Sequence, residues 1–182
     1  AEQHLTAMQA DVVLAAFGYN ESFAGKEGLP AFRERLSNYL EGVKAKAYNG
    51  KTSARVVLIS PIANENVKGV AAADRNNANI KAYLKVMQEV SAEQQVGFVD
   101  AFTATEKAMA SPGNDLTMNG AHLNEKGYQL FASTVFKQLF GKEAPKLDEE
   151  VRTAVMEKNK QHFFRYRPLN TFYYTGHRSR SY

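Results

Sequence analysis

The stretch Asp11-Val-Val-Leu-Ala-Ala-Phe17, followed by Gly18-Tyr-Asn-Glu-Ser-Phe-Ala-Gly25, decides the fold class. Its first part is a continuous apolar run that stops at a glycine, which is typical of a strand buried on both faces of a parallel sheet. Its second part is a polar loop at the carboxyl end of that strand, where open α/β sheets place their sites. The stretch therefore predicts a parallel sheet with a candidate site in residues 18–25.

The rest of the chain alternates helices and strands. Arg55-Val-Val-Leu-Ile-Ser60 and Val96-Gly-Phe-Val99 have the composition of two further buried strands. Apolar residues at helical spacing predict helices over about 28–47, 76–94 and 102–110, and another after residue 124. This alternation predicts an α/β fold with a parallel sheet. Three strands are fewer than the average of about five or six, so we expect the chain to begin within a domain.

A second stretch, Leu116-Thr-Met-Asn-Gly-Ala-His-Leu-Asn-Glu-Lys-Gly-Tyr128, places a histidine directly before an amphipathic helix. Either Asn124 or the pair Thr117 and Asn119 is expected to cap the incoming chain. His122 would then lie on a loop held by a rigid scaffold. It is a candidate general base, since one ring nitrogen can take a proton while a neighbour holds the other. Alternatively, His122 only caps the helix or fills a polar pocket.

Length, charge and cysteine content exclude several classes of function. A chain of 182 residues fits one domain, or one domain with an appendage, and the absence of cysteine excludes disulfides and thiol nucleophiles. Residues 1–10 read as polar helix and not as a signal peptide, and no apolar run reaches the roughly 18 residues that span a bilayer. Six of the 23 Lys and Arg lie from Lys158 onward, where no acidic residue occurs. The body is therefore near neutral, and its charge gives no support for nucleic-acid binding.

Neither a metal site nor a cofactor motif is predicted. His4, His162 and His177 lie far apart in the sequence and beside no carboxylate cluster. The chain contains neither a Gly-x-Gly-x-x-Gly motif nor a phosphate-binding P-loop. Four carboxylates near predicted strand ends leave a glycosidase-like pair open as an alternative. These are Glu21, Glu65, Asp100 and Asp115.

The sequence changes character after residue 141. Residues 142–146 resemble a linker, and Asp148 is expected to cap a final helix that runs to about residue 164. The remaining segment is rich in arginine and aromatic residues. We therefore predict an α/β domain over 1–141 and a C-terminal helix and arm over 142–182. The arm either packs against its own domain or uses its arginines and rings to hold a sugar or a partner.

Gly18-Tyr-Asn20-Glu21 and Asn119-Gly-Ala-His122, taken in this order, resemble blocks III and V of the SGNH, or GDSL-type, hydrolases. The resemblance covers residues 1 to about 140, and residues 165–170 resemble an Arg-x-Arg-Pro-x-Asn segment of a divergent branch of that family. It implies a flavodoxin-like, three-layer α/β/α sandwich.

The resemblance also implies roles for individual residues. Asn20 would donate from its side chain to an oxyanion hole, in a block that begins at Gly18. His122 would be the general base, and Asn119 would orient it. Three neighbours of Asn20 would contact the substrate: Tyr19, Glu21 and Ser22.

Three departures from the family pattern are visible in the sequence. The Gly-Asp-Ser block with the nucleophilic serine and the glycine block that follows it are both absent. Ser22 is the one serine near the first loop, and it is expected to cap a turn; Ser60, which ends a strand, is expected to be structural. Asn119 stands where the family has aspartate, with Asp115 as a possible substitute, and Glu21 replaces a second aspartate.

Two functional hypotheses follow from the resemblance. The first is a hydrolase of acyl esters, such as carbohydrate O-acetyl esters, whose serine lies outside this chain and which needs no cofactor. The second is a catalytically inactive relative that binds a glycan or a protein partner. In either case we expect exposed apolar strand edges and a tendency to self-associate.

Overall fold

The structure, a computed structural model, describes residues 2–69, 73–111, 113–146 and 148–167. It divides into two compact units between Ala144 and Pro145. In the first unit, three parallel strands pair in the order β1-β2-β3, with Val13 opposite Val56 and Leu58 opposite Phe98. The strands are β1 Val12–Ala16, β2 Arg55–Ile59 and β3 Gly97–Val99. The predicted parallel sheet is therefore confirmed.

Helices connect the strands, as the alternation predicted. They are α1 Glu2–Ala7, α2 Tyr19–Ser22, α3 Leu29–Lys44, α4 Ala73–Glu93, α5 Ala101–Met109 and α6 Glu125–Phe140. A 3-10 turn, Gly25–Gly28, leads into α3, whose first turn contains Pro30. Asp100 caps α5 and Asn124 caps α6 through their side-chain oxygens. Of the two capping arrangements expected for α6, the Asn124 cap is therefore the one present.

Helices pack on both faces of the sheet. On one face, α3 and α4 bury the alternate strand residues Val13, Ala15, Val56 and Leu58. On the other face, Phe131, Val135 and Leu139 of α6 pack against Ile59 and Val99. The result is the three-layer α/β/α arrangement around a parallel sheet that was expected.

Strand β1 differs from the prediction, because it is buried on one face only. Val13 and Ala15 are buried, whereas Val12 is 41% and Leu14 56% exposed. The prediction of burial on both faces was wrong because α6 packs over Ile59 and Val99, away from β1. Strand β1 also lies at the edge of the sheet. Within the described residues, β1 thus has an exposed apolar face and pairs with a neighbouring strand along one side only, a combination that favours association.

We expect Leu14→Lys to weaken self-association of the 182-residue chain. Burying a leucine contributes about 1.5–3 kcal/mol, so the dissociation constant of a dimer formed through this face should rise by roughly 10- to 100-fold. Sedimentation velocity over a concentration series measures it. Asn38→Lys adds the same charge at an exposed position on α3 and serves as the control. Equal association of the two variants would show that copies do not meet at β1.

The second unit contains α7, Glu149–Tyr166, which is capped by Asp148 through hydrogen bonds from Glu150 N and Val151 N. This confirms the expected cap. From residue 168 onward, the predicted arginine- and aromatic-rich arm lies outside the described residues. Within the described ranges, no helix combines the length and the apolar character needed to cross a membrane.

Candidate active site

The loop after β1 turns sharply at Gly18. Its φ of +97° is a conformation that side chains disfavour, and its N–H donates to Glu21 Oε2 at 2.9 Å. A Cβ atom at this position would lie 2.8 Å from Met87 Sδ and 3.3 Å from Pro61 Cγ. Gly18 therefore allows α2 to begin immediately after the strand, which places Tyr19 and Asn20 at the carboxyl edge of the sheet.

Substituting Gly18 by alanine is expected to lower the free energy of unfolding by about 2–4 kcal/mol, from left-handed strain together with overpacking. Gly25→Ala separates the two causes. Gly25 has a φ of +60° but no atom within 4 Å of a built Cβ, so strain alone should cost about 1 kcal/mol there. Urea unfolding of both variants gives the comparison. Equal losses would mean that contact with Met87 and Pro61 contributes nothing.

Asn20 lies in the second position of α2 with an exposed side chain. An open cavity of about 370 Å³ beside it is lined by Ala16, Phe17, Tyr19, Asn20, Glu21 and Pro61. Its walls are mostly apolar, and Asn20 brings an amide donor to them. Tyr19 and Glu21 share this cavity, so three of the predicted site residues lie together.

The far end of the same loop is held by Tyr83 of α4. Its hydroxyl donates to Gly25 O at 3.0 Å. Burial raises the pKa of Tyr83, and the charge of Glu21 raises it further. The hydroxyl therefore remains a donor well into alkaline solution and keeps the loop end attached to α4.

The hydroxyls of the two serines singled out in the sequence both make hydrogen bonds to the backbone. Ser22 is 2% exposed, and its hydroxyl donates to Tyr19 O at 2.6 Å. Ser60 Oγ accepts from Ala101 N and Phe102 N at the start of α5. Ser22 thus lies inside the turn, away from the cavity lining, and Ser60 has the structural role that the sequence indicated.

His122 lies at the end of a tight turn that precedes α6. Met118 N donates to His122 O at 2.8 Å, and Thr117 and Leu123 form an antiparallel bridge. Asn124 then caps the helix through Gly127 N at 3.0 Å. The side chain of His122 is exposed, so its ring is accessible to a reacting group.

Asn119 contacts the ring of His122 through its side-chain oxygen. Its Oδ1 lies 3.0 Å from His122 Nδ1 and also accepts from His122 N at 3.0 Å. Because the backbone N–H must donate, the amide atom on this side is the oxygen, which in turn requires a proton on Nδ1. The neutral ring then carries its lone pair on Nε2. This is the tautomer that a general base needs.

Glu65, which follows β2, accepts hydrogen bonds from the start of the loop that carries His122. Its carboxylate accepts from Leu116 N at 3.0 Å, from Thr117 N at 2.8 Å and from the hydroxyl of Thr117. Thr117 Oγ1 in turn accepts from Gly120 N at 2.9 Å. These contacts give Glu65 a structural part in shaping the turn that carries His122.

Asp100 and Asp115, the other acidic residues singled out near strand ends, lie in two different places. Asp100 caps α5 by accepting from Thr103 N at 2.8 Å. Asp115 lines a polar cavity of about 330 Å³ together with Asn66 and Glu106. Asn119, and not Asp115, is the residue that contacts the His122 ring. Within the described residues, no group of three or more His, Cys, Asp or Glu is arranged to hold a metal ion.

Asn64 was not singled out in the sequence, yet it touches both loops. It is 7% exposed, and its Nδ2 donates to Tyr19 Oη at 3.1 Å and to Gly120 O at 2.7 Å. The available signal was its position just after the second strand, at the sheet edge where α/β proteins place their sites. Sequence spacing cannot show which residue bridges two loops, because that depends on tertiary contacts.

Comparison with known proteins identifies a matching family and solved structures with a similar fold. The model of the GDSL-like lipase/acylhydrolase family matches residues 1–130. No curated protein matches the chain. Among solved structures, a catalytic mutant of Axe2, an acetylxylan esterase from Geobacillus stearothermophilus, is similar at 18% identity and a TM-score of 0.58, covering 74% of this chain and 61% of that one.

A lipase/acylhydrolase from Enterococcus faecalis is similar at 23% identity and a TM-score of 0.53, covering 78% of this chain and 67% of that one. The chain thus spans 61% to 67% of the length of these two structures. At these identities the likeness shows the fold. The family match covers well over half of the 182 residues. The chain belongs to the GDSL-like lipase/acylhydrolase family.

Proposed function

We propose that this chain carries the general base and one oxyanion donor of an acyl-ester hydrolase. The observation that supports the proposal most directly is the contact of 3.0 Å between Asn119 Oδ1 and His122 Nδ1, which leaves Nε2 as the basic nitrogen. Asn20 would donate to the oxyanion that forms when the ester carbonyl is attacked. The family supports this chemistry, since it is one of lipases and acylhydrolases.

The nucleophile of the proposed reaction is a serine outside these 182 residues. The sequence has no Gly-Asp-Ser, and the hydroxyls of Ser22 and Ser60 both donate to backbone carbonyl oxygens. In the reaction, His122 Nε2 takes the serine proton while the serine oxygen bonds to the acyl carbon. The bond between the acyl carbon and the alcohol oxygen then breaks, and the same proton passes to the leaving alcohol. Water next attacks the acyl carbon and gives a proton to His122 Nε2; the bond to the serine oxygen breaks, the serine takes that proton back, and the acid is released.

The proposed substrates are small acyl esters, with O-acetyl esters of carbohydrate first among them. The cavity beside Asn20 is open and mostly apolar, with a volume of about 370 Å³, which leaves room for a short acyl group and part of the alcohol that carries it. The acetylxylan esterase among the structural relatives supports the same class.

A non-catalytic binding module is the second candidate. The neutral Asn119 favours it, because an amide gives no negative charge to stabilise an imidazolium. In this case the open cavity would hold a glycan or a partner without cleaving it.

The test uses the protein as its source cell makes it, treated with a fluorophosphonate that labels activated serines, together with an assay for acetate release from acetylated xylo-oligosaccharides. We expect acetate release and labelling at a serine outside residues 1–182. Labelling at Ser22 would contradict the proposed nucleophile. If the protein shows no labelling and releases no acetate, the binding module remains as the function.

A further inference from the structure

We propose that Asn64 is a positioning residue that holds the loop of Asn20 and the loop of His122 at a fixed spacing. The inference rests on the function proposed above and adds to it a residue that belongs to neither loop. Asn64 lies between the two, in the segment that follows β2.

The two amide protons of Asn64 go to two different loops. One is donated to Tyr19 Oη at 3.1 Å, and the other to Gly120 O at 2.7 Å. Tyr19 precedes Asn20 in α2, and Gly120 lies between Asn119 and His122. A single buried side chain therefore joins the donor loop and the base loop.

Asn64 is itself held by a helix. Asn77 of α4 accepts from Asn64 N at 2.7 Å through Oδ1 and donates to Asn64 O at 2.9 Å through Nδ2. Glu65 N adds a second hydrogen bond to Gly120 O at 2.9 Å. The bridge is thus fixed to α4 at its base, and movement of either loop would break a buried hydrogen bond.

The spacing of the two loops matters because two groups must meet one reacting centre. The base must lie within about 3 Å of the serine oxygen, and the oxyanion donor within about 3 Å of the carbonyl oxygen. Displacement of either group by about 1 Å can lower the rate by roughly 10²-fold. A residue that sets the distance between the loops therefore acts on kcat without contacting the substrate.

Asn64→Ala removes the hydrogen bonds to both loops, and Tyr19→Phe removes only those to the donor loop. In the source protein we expect Asn64→Ala to lower kcat for an acetyl ester by roughly 10- to 100-fold while KM changes less than about twofold. Tyr19→Phe should lower kcat by a smaller factor, and it keeps the proposal testable if Asn64→Ala does not fold. Ser91→Ala is the matched control, since Ser91 is buried to a similar degree and its hydroxyl donates to Gln88 O within α4.

A double-mutant cycle separates positioning from general destabilisation. If Asn64 acts by setting the spacing of the two loops, its replacement should lower kcat by a smaller factor once Asn20→Ala has been made, because the part of its effect that acts through the oxyanion donor is already lost. If Asn64→Ala lowers the melting temperature as Ser91→Ala does and leaves kcat unchanged, the proposal fails. Full additivity with Asn20→Ala also overturns it.

Amide hydrogen exchange tests the bridge without any enzymatic activity. Asn64→Ala should speed exchange at Ser22 N and His122 N, in the two loops, by about tenfold or more, whereas Ser91→Ala should change neither. Faster exchange in both loops without ester hydrolysis would retain the bridge and reject the proposed function. If Asn64→Ala leaves exchange in both loops unchanged while the source protein hydrolyses the ester, the bridge is rejected and the proposed function is retained.

Discussion

Replacing His122 by alanine is expected to lower kcat/KM for an acetyl ester by roughly 10³-fold, within the 10²–10⁴ range of a general base. The ring is exposed and its Nδ1 contacts Asn119 Oδ1 at 3.0 Å. Its removal therefore takes away the proton acceptor without opening a cavity in the core. The substitution should leave the melting temperature nearly unchanged, so the loss belongs to chemistry and not to folding.

The control for this prediction is His4→Ala. His4 is an exposed histidine in α1, outside the two loops of the site. Its replacement should leave ester hydrolysis as it was. The measurement is the initial rate of acetate release from the source protein and from both variants. If His122→Ala hydrolyses the ester as fast as the unmodified protein, the assignment of His122 as base is wrong.

The strands and helices of the fold were predictable because they depend on local patterns. The apolar runs before Gly18 and Pro61 predicted strands, and Asn124 and Asp148 predicted helix starts. The exposure of Leu14 was not predictable from the same run, because an apolar residue in a strand carries no information about whether a helix covers it. Its 56% exposure follows from the placement of α6 over the other strands.

The candidate site shows the same division between local and tertiary information. Asn119 and His122 lie three residues apart in one turn, and the contact between them follows from that turn. The bridge from Tyr19 through Asn64 to Gly120 joins residues 45 and 56 positions apart. Such a bridge depends on where the ends of β1 and β2 and the turn before α6 meet, which spacing along the chain does not determine.

Changing Asn119 to aspartate is expected to raise kcat for an acetyl ester. Aspartate has nearly the same shape and keeps the oxygen that accepts from His122 N and meets His122 Nδ1, both at 3.0 Å. The change adds a negative charge beside the ring that becomes positive when it takes the serine proton. In the serine-protease template, the opposite change costs about 10⁴ in kcat.

The gain should be smaller here, about 10- to 10³-fold, because Asn119 is exposed and water weakens the interaction between the two charges. Added salt should reduce it further. Asn66→Asp is the control, since Asn66 is exposed and its Oδ1 accepts from Ala73 N, so the variant adds the same charge away from the ring. If Asn119→Asp gives no more activity than Asn66→Asp, the contact with Nδ1 does not limit the reaction. A rise in kcat that occurs in Asn119→Asp and not in Asn66→Asp would show that His122 works as the base. It would also show that the uncharged amide of Asn119 limits the rate.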